Sequence, residues 1–185
     1  MALPDLTCKL TYEDYLLFPD DGLRHELLDG EHYVTASPFV RHQDVLGNLY
    51  AVLRSFVRTH RLGKIYFAPT DVVLSPHDVV VPDLFFVSRE RMGIVREKNI
   101  QGAPDLIIEI LSKRTRRRDE GIKLRTYGRC GVREYWTFDP QRETGRVYRQ
   151  FGGRLVLASE LSEKSETLTS PLFPGLEIPL REVFE

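Results

Sequence analysis

Glu109 interrupts Asp105-Leu106-Ile107-Ile108-Glu109-Ile110-Leu111, a run otherwise apolar on both faces, as in a central buried strand. A carboxylate in such a strand is costly unless it is paired or binds a cation. Asp83 follows Pro82 at the head of a second apolar run, Leu84-Phe85-Phe86-Val87. The proline leaves one ladder bond unmade, which places Asp83 at a strand end or bulge. Two carboxylates on neighbouring strands can share one hard cation, Mg2+ or Mn2+. Such an ion polarises a phosphate and activates a water. Lys123 lies in the helix that follows the Glu109 strand, where its ammonium suits charge growing on a phosphate or the orientation of a water. Plainer readings stay open. Glu109 can pair with an arginine of the basic helix, Asp83 can be a turn or cap residue, and Lys123 can pair with Asp119 four residues earlier. Tyr127, four residues after Lys123, can reach a phosphate or simply pack.

The charge distribution points the same way. The 185 residues carry a net charge of −1, so no global field draws the chain to a polyanion. Yet Lys113, Arg114, Arg116, Arg117, Arg118, Lys123, Arg125 and Arg129 crowd one segment against only Asp119 and Glu120. A local cationic patch suits an anionic partner, or is a solvated helix face. Other chemistries lack their residues. The histidines form no HxxxH pair, and neither a GxSxG elbow nor a glycine-rich phosphate loop is present. A carboxylate pair would also serve a glycosidase, but the adjoining basic helix favours a phosphodiester. Cys8 and Cys130 form no CxxC pair and read as reduced thiols. Met1 to Lys9 lack a signal-peptide core, and no stretch approaches the ~20 apolar residues of a membrane span. These features predict a soluble, cytoplasmic protein without a membrane partner.

The elements that must position these groups are legible in outline. Thr11-x-x-Asp14 predicts a capping box opening a short helix. Asp29-Gly30 predicts a two-residue hairpin turn, with Glu26 on its first strand. Over 39–61, Val45, Leu46, Leu49, Val52, Leu53, Phe56 and Val57 recur at helical spacing, and Gly63 is expected to end that helix. Strands are predicted at 65–68, 71–74, 79–81, 84–87 and 105–111, a helix at 115–128 despite Gly121, and strands at 132–138, 145–150 and 154–158. The proline-bearing tail, with Pro171, Pro174 and Pro179, reads as irregular. The order fits a single α/β domain over 1–185, a mixed sheet flanked by helices.

Several segments, in this order and spacing, resemble one family. They are Glu26-Leu27-Leu28-Asp29-Gly30, Arg41-His42-Gln43, Pro82-Asp83-Leu84, the stretch 103–112, Lys123-x-x-x-Tyr127, the stretch 131–136 and the ending 168–176. Together they are similar to the Uma2 family of restriction endonucleases, within the PD-(D/E)xK superfamily, over roughly residues 10–184. The resemblance implies a restriction-endonuclease-like core and a metal-dependent endonuclease acting on nucleic acid, with DNA the expected substrate. It makes Asp83 and Glu109 the metal-binding acids, with the backbone oxygen of Ile110 as a third ligand. Leu111 stands where the superfamily has its lysine, and Lys123 in the next helix matches the family's displaced one. Glu26 matches a further acid at the edge of the site. Ser112-Lys113-Arg114-Thr115 and Val81 depart from the family pattern, the former making the rim more basic. Lys113, Arg114, Arg116, Arg117, Arg118 and Tyr127 are the candidate nucleic-acid contacts. Double-strand cleavage by a lone domain would call for a symmetric homodimer. The alternative is a non-cleaving module of the same fold that binds nucleic acid or protein; retention of both acids and the lysine favours cleavage.

Overall fold

The computed structural model describes residues 9–35 and 37–185. Cys8 and all but the last residue of the Met1 to Lys9 stretch lie outside them. The chain runs through α1 (Tyr12–Tyr15), the hairpin β1 (Arg24–Leu28) and β2 (Glu31–Thr35), and the long α2 (Val40–Thr59). Strands β3 (Gly63–Phe67), β4 (Val72–Ser75), β5 (Asp78–Val80) and β6 (Leu84–Ser88) follow. A 3-10 turn (Arg89–Ile94) leads to β7 (Ile100–Gln101) and β8 (Leu106–Ile110). Next come α3 (Arg116–Arg118), a π-helical turn (Asp119–Lys123) and α4 (Leu124–Cys130). The chain ends with β9 (Glu134–Asp139), β10 (Thr144–Phe151), β11 (Arg154–Leu161), β12 (Thr167–Leu168), β13 (Ile178–Pro179) and α5 (Leu180–Phe184).

The central sheet has the order β11-β10-β9-β8-β6-β3. A parallel β8–β9 pair joins two antiparallel flanks. Parallel neighbours need a crossover, and the helical segment 116–130 supplies it. It therefore lies over one face of the sheet. A second sheet, β2-β1-β5-β4-β7, carries the hairpin. Side chains alternate between the faces. Leu84, Phe86, Leu106, Ile108, Ile110, Trp136 and Phe138 pack with α2 and α5. Phe85, Val87, Ile107 and Tyr135 pack on the other side with Leu28, Val80 and Tyr127. The mixed sheet with flanking helices is the architecture expected from the sequence.

Local signals match in detail. Thr11 and Asp14 form the reciprocal capping box. Asp29 and Gly30 take φ of 54° and 77°, as the hairpin turn requires. Three expectations need correction. The long helix stops at Thr59, and Gly63 opens β3 instead of ending the helix. A Cβ at Gly63 would lie 2.1 Å from the Val87 carbonyl oxygen, so only glycine lets β3 meet β6 there. The helix predicted over 115–128 is interrupted by the π turn around Gly121. The tail is not irregular: β12 pairs β13, and α5 buries Leu180, Val183 and Phe184 in the α2-side core with Phe173 and Leu176. Its prolines punctuate that structure. Among the described residues no helix is long and apolar enough to cross a membrane. Cys130 is a free, half-buried thiol.

Candidate active site

Strands β6 and β8 run antiparallel, and their ladder ends at Leu84 opposite Ile108. Asp83 and Glu109 come next on each strand and sit side by side on the face toward the helical crossover. Pro82 ends the ladder, and the Ile110 amide beyond it donates to Asp83 Oδ2 at 2.9 Å. The Asp83 carboxylate thus replaces the missing backbone partner. Arg24 at the start of β1 lies 2.6 Å from Asp83 Oδ1, and His42 Nε2, in the first turn of α2, lies 3.1 Å from Oδ2.

Glu109 is held from the crossover. Lys123 Nζ and the Tyr127 hydroxyl each donate to its Oε1 at 2.8 Å. Residues four apart share a helix face, so α4 and the π turn deliver both donors to one oxygen. Lys123 also reaches Glu26 Oε1 at 2.8 Å, with Asp119 Oδ1 at 3.6 Å. Glu26 accepts the Val81 amide at 3.0 Å, and Arg118 is 3.5 Å from its Oε2. Asp83 is 3% exposed, Glu109 4% and Lys123 2%. These groups lie in a cleft of about 670 Å³.

Burial acts to raise the Asp83 carboxyl, but His42 and Arg24 outweigh it and hold it at about 2. Glu109 goes the other way. Burial pushes it up to about 8, opposed by Lys123 and reinforced by the charges of Asp83, Asp119 and Glu26. Burial also raises Asp119. Lys123 is raised despite burial because Glu109, Glu26 and Asp119 surround its ammonium. Two neighbouring acids with pKa values driven apart, in a cleft, are a common mark of a functional site.

The structure brings Asp83, Glu109, Lys123 and Glu26 together. Lys123 does not settle on Asp119 alone, because the π turn aims it inward at two glutamates. Of the candidate nucleic-acid contacts, Lys113 and Arg114 are exposed in the cleft. Arg116 lines it while pairing with Asp139. Three candidates are placed differently. Tyr127 is fully buried and spends its hydroxyl on Glu109, so it positions that acid and does not meet a phosphate. Arg117 is exposed but lies outside the cleft lining. Arg118 is directed inward, to Thr35 Oγ1 at 2.5 Å and over the Tyr33 ring. Arg24 and His42 join the site without having stood out in the sequence: His42 lies in the Arg41-His42-Gln43 segment similar to the family, and nothing local marks Arg24.

The donors suit a hard divalent cation. Among the described residues no three His, Cys, Asp or Glu side chains converge as a metal-ligating cluster. The candidate set is two carboxylates and the Ile110 carbonyl, all oxygen. Buried polar groups without partners often mark the place of a water or ion. His42 Nδ1 and Thr137 Oγ1 are such atoms. Thr137 stands opposite Glu109 on β9. They show polar capacity around the carboxylates that the protein itself leaves unused.

The Uma2 family model, described as "Putative restriction endonuclease", matches residues 12–181. A crystal structure of a putative nuclease belonging to DUF820 from Anabaena variabilis ATCC 29413 superposes with a TM-score of 0.80 at 20% identity, covering 95% of this chain and 97% of that one. At that identity the likeness concerns the fold. No curated protein matches the chain at a significant level.

Proposed function

Since the chain belongs to the Uma2 family, we propose that it is a divalent-metal-dependent endonuclease that hydrolyses phosphodiester bonds of nucleic acid, DNA being the expected substrate. One observation carries this reading: Glu109, buried near the end of central strand β8, lies beside Asp83 in a cleft that also carries Lys113 and Arg114. Asp83, Glu109 and the Ile110 carbonyl would hold Mg2+ or Mn2+, which supplies Lewis-acid polarisation of the phosphate and a more acidic water. Lys123 and Tyr127 fix one Glu109 oxygen and leave the other for a ligand. Arg24 and His42 orient Asp83 and hold it ionised. Glu26 anchors Lys123 from the hairpin strand. Lys113 and Arg114 attract the flanking phosphates.

A second reading is a non-cleaving module of the same fold. The ion pairs favour it, because Arg24 pairs with Asp83 and Lys123 with Glu109. The test is cleavage of plasmid, single-stranded DNA and RNA with Mg2+ or Mn2+, beside Asp83→Asn and Glu109→Gln. Metal-dependent cutting that both substitutions abolish supports the nuclease. Wild-type protein that cuts none of them, and is not stabilised by Mn2+, leaves the non-cleaving module.

A further inference from the structure

We propose that the cleft takes a single strand of nucleic acid, an unpaired base resting on Phe39, Leu23 and Val34 while flanking phosphates meet Lys113 and Arg114. This rests on the nuclease reading and names the form of its substrate. Phe39 is 73% exposed, Val34 48% and Leu23 44%, and all three line the same cleft as the buried acids. An isolated exposed apolar residue needs no explanation. Three converging on one cleft, with Pro38 beside them, form an apolar surface left in water at the mouth of a charged site.

Lys113 and Arg114 add the other half. They are exposed, line that cleft, and have no ion-pair partner among the described residues. A duplex stacks its bases inside and turns its charged backbone outward. It would satisfy the two cations and leave the apolar side chains unmatched. An unpaired strand offers both a phosphate chain and an open π face, and base–aromatic stacking is a general means of holding single strands. Phe39 is anchored as a platform, because its carbonyl accepts from the His42 and Gln43 amides at the start of α2. His42, less than one turn along that helix, touches Asp83. A base on Phe39 would therefore belong to a nucleotide near the phosphate under attack. A single strand needs one active site per cut, so the homodimer expected for paired cuts is not required.

The test is fluorescence anisotropy in EDTA with a labelled single-stranded DNA 12-mer, its RNA counterpart, and the DNA strand annealed to its complement. Tighter binding of either single strand than of the duplex is expected. Phe39→Ala should weaken single-strand binding by about 5- to 150-fold, the range of one lost stack, and leave the salt slope unchanged. Lys113→Ala with Arg114→Ala should reduce that slope. Phe39→Trp should keep the affinity, and its exposed indole should be quenched by the single strand, a signal separate from that of the buried Trp136. Equal or tighter duplex binding, or an equal effect of Phe39→Ala on both forms, overturns the inference. So does light scattering that shows a dimer broken by Phe39→Ala, which would make the patch a subunit contact. Cleavage is scored apart. Phe39-dependent single-strand binding without cutting rejects the nuclease alone, and Phe39-independent cutting of duplex rejects this inference alone.

Discussion

Replacing Lys123 by methionine removes the ammonium that lies 2.8 Å from both Glu26 and Glu109 and keeps much of the side-chain volume. Lys123 is 2% exposed, as is Glu26, and Glu109 is 4% exposed, so water cannot take over the lost charge. Removing one partner of a buried ion pair costs about 3–5 kcal/mol, because the other is left uncompensated. For a chain of this size that is roughly 6–20 °C in Tm. The upper figure applies where the acids stay ionised. Glu109 can instead take up a proton, and its pKa of about 8 already lies above the ordinary 4.5. The sign follows from proton binding. A carboxyl raised in the folded state holds more protons there than when unfolded, so its contribution is fully present below about 4.5 and is lost as pH rises toward and through 8. Without Lys123 the rise is larger; below about 8 both proteins keep this proton, so the deficit relative to wild type should grow as pH passes 8, between pH 7 and 9.5. Urea denaturation at both pH values measures it, with Lys64→Met, an exposed lysine, as a control within about 0.5 kcal/mol. A Lys123→Met deficit below about 1 kcal/mol, or one independent of pH, would refute the claim that Lys123 holds these acids together.

Asp83→Ala should abolish metal-dependent cleavage and also cost about 1–3 kcal/mol by denaturation, since it strands Arg24, His42 and the Ile110 amide. Unchanged or higher stability would mean instead that relief of the repulsion between Asp83 and Glu109 outweighs those losses. In nucleic-acid binding, Lys113→Ala with Arg114→Ala should lower the salt slope by up to about two contacts, whereas Arg117→Ala should leave it unchanged; a large Arg117 effect would move the binding surface away from the cleft. Asp139 is held below the usual carboxylate range because Arg116 and the Gln141 and Arg142 amides outweigh its burial. A depressed pKa contributes stability above the unfolded value of 3.8 that is lost as pH falls through the folded one. Asp139→Asn should therefore flatten the acid limb of the stability curve, and an unchanged limb would count against it.

The sequence by itself determined the local elements and the identity of the central acids. Apolar runs of strand length, the helical spacing from Val45 to Val57, the Thr11 capping box and the Asp29-Gly30 turn are short-range effects, readable from neighbours alone. Glu109 stood out because charge inside an apolar strand demands a partner, and Pro82 marked the ladder end where Asp83 sits. Which partner each acid takes was a different matter. Arg24 and His42 reach Asp83 across 59 and 41 residues, and Glu26 meets Lys123 across two sheets' worth of chain. Only the placement of the hairpin and α2 against the ends of β6 and β8 decides such contacts. The basic segment 113–118 looked like one cationic face, but a turn at 113–115 followed by the helix from Arg116 divides it. Arg116 turns to Asp139, Arg118 goes to Glu26, and Lys113 and Arg114 stay in the open cleft. The tail read as irregular because its prolines hid an apolar face that becomes visible only when α2 and the sheet offer it a surface. Local chemistry names the charged groups. Long-range packing assigns their partners, because burial and pairing energies depend on residues the chain brings back from far away.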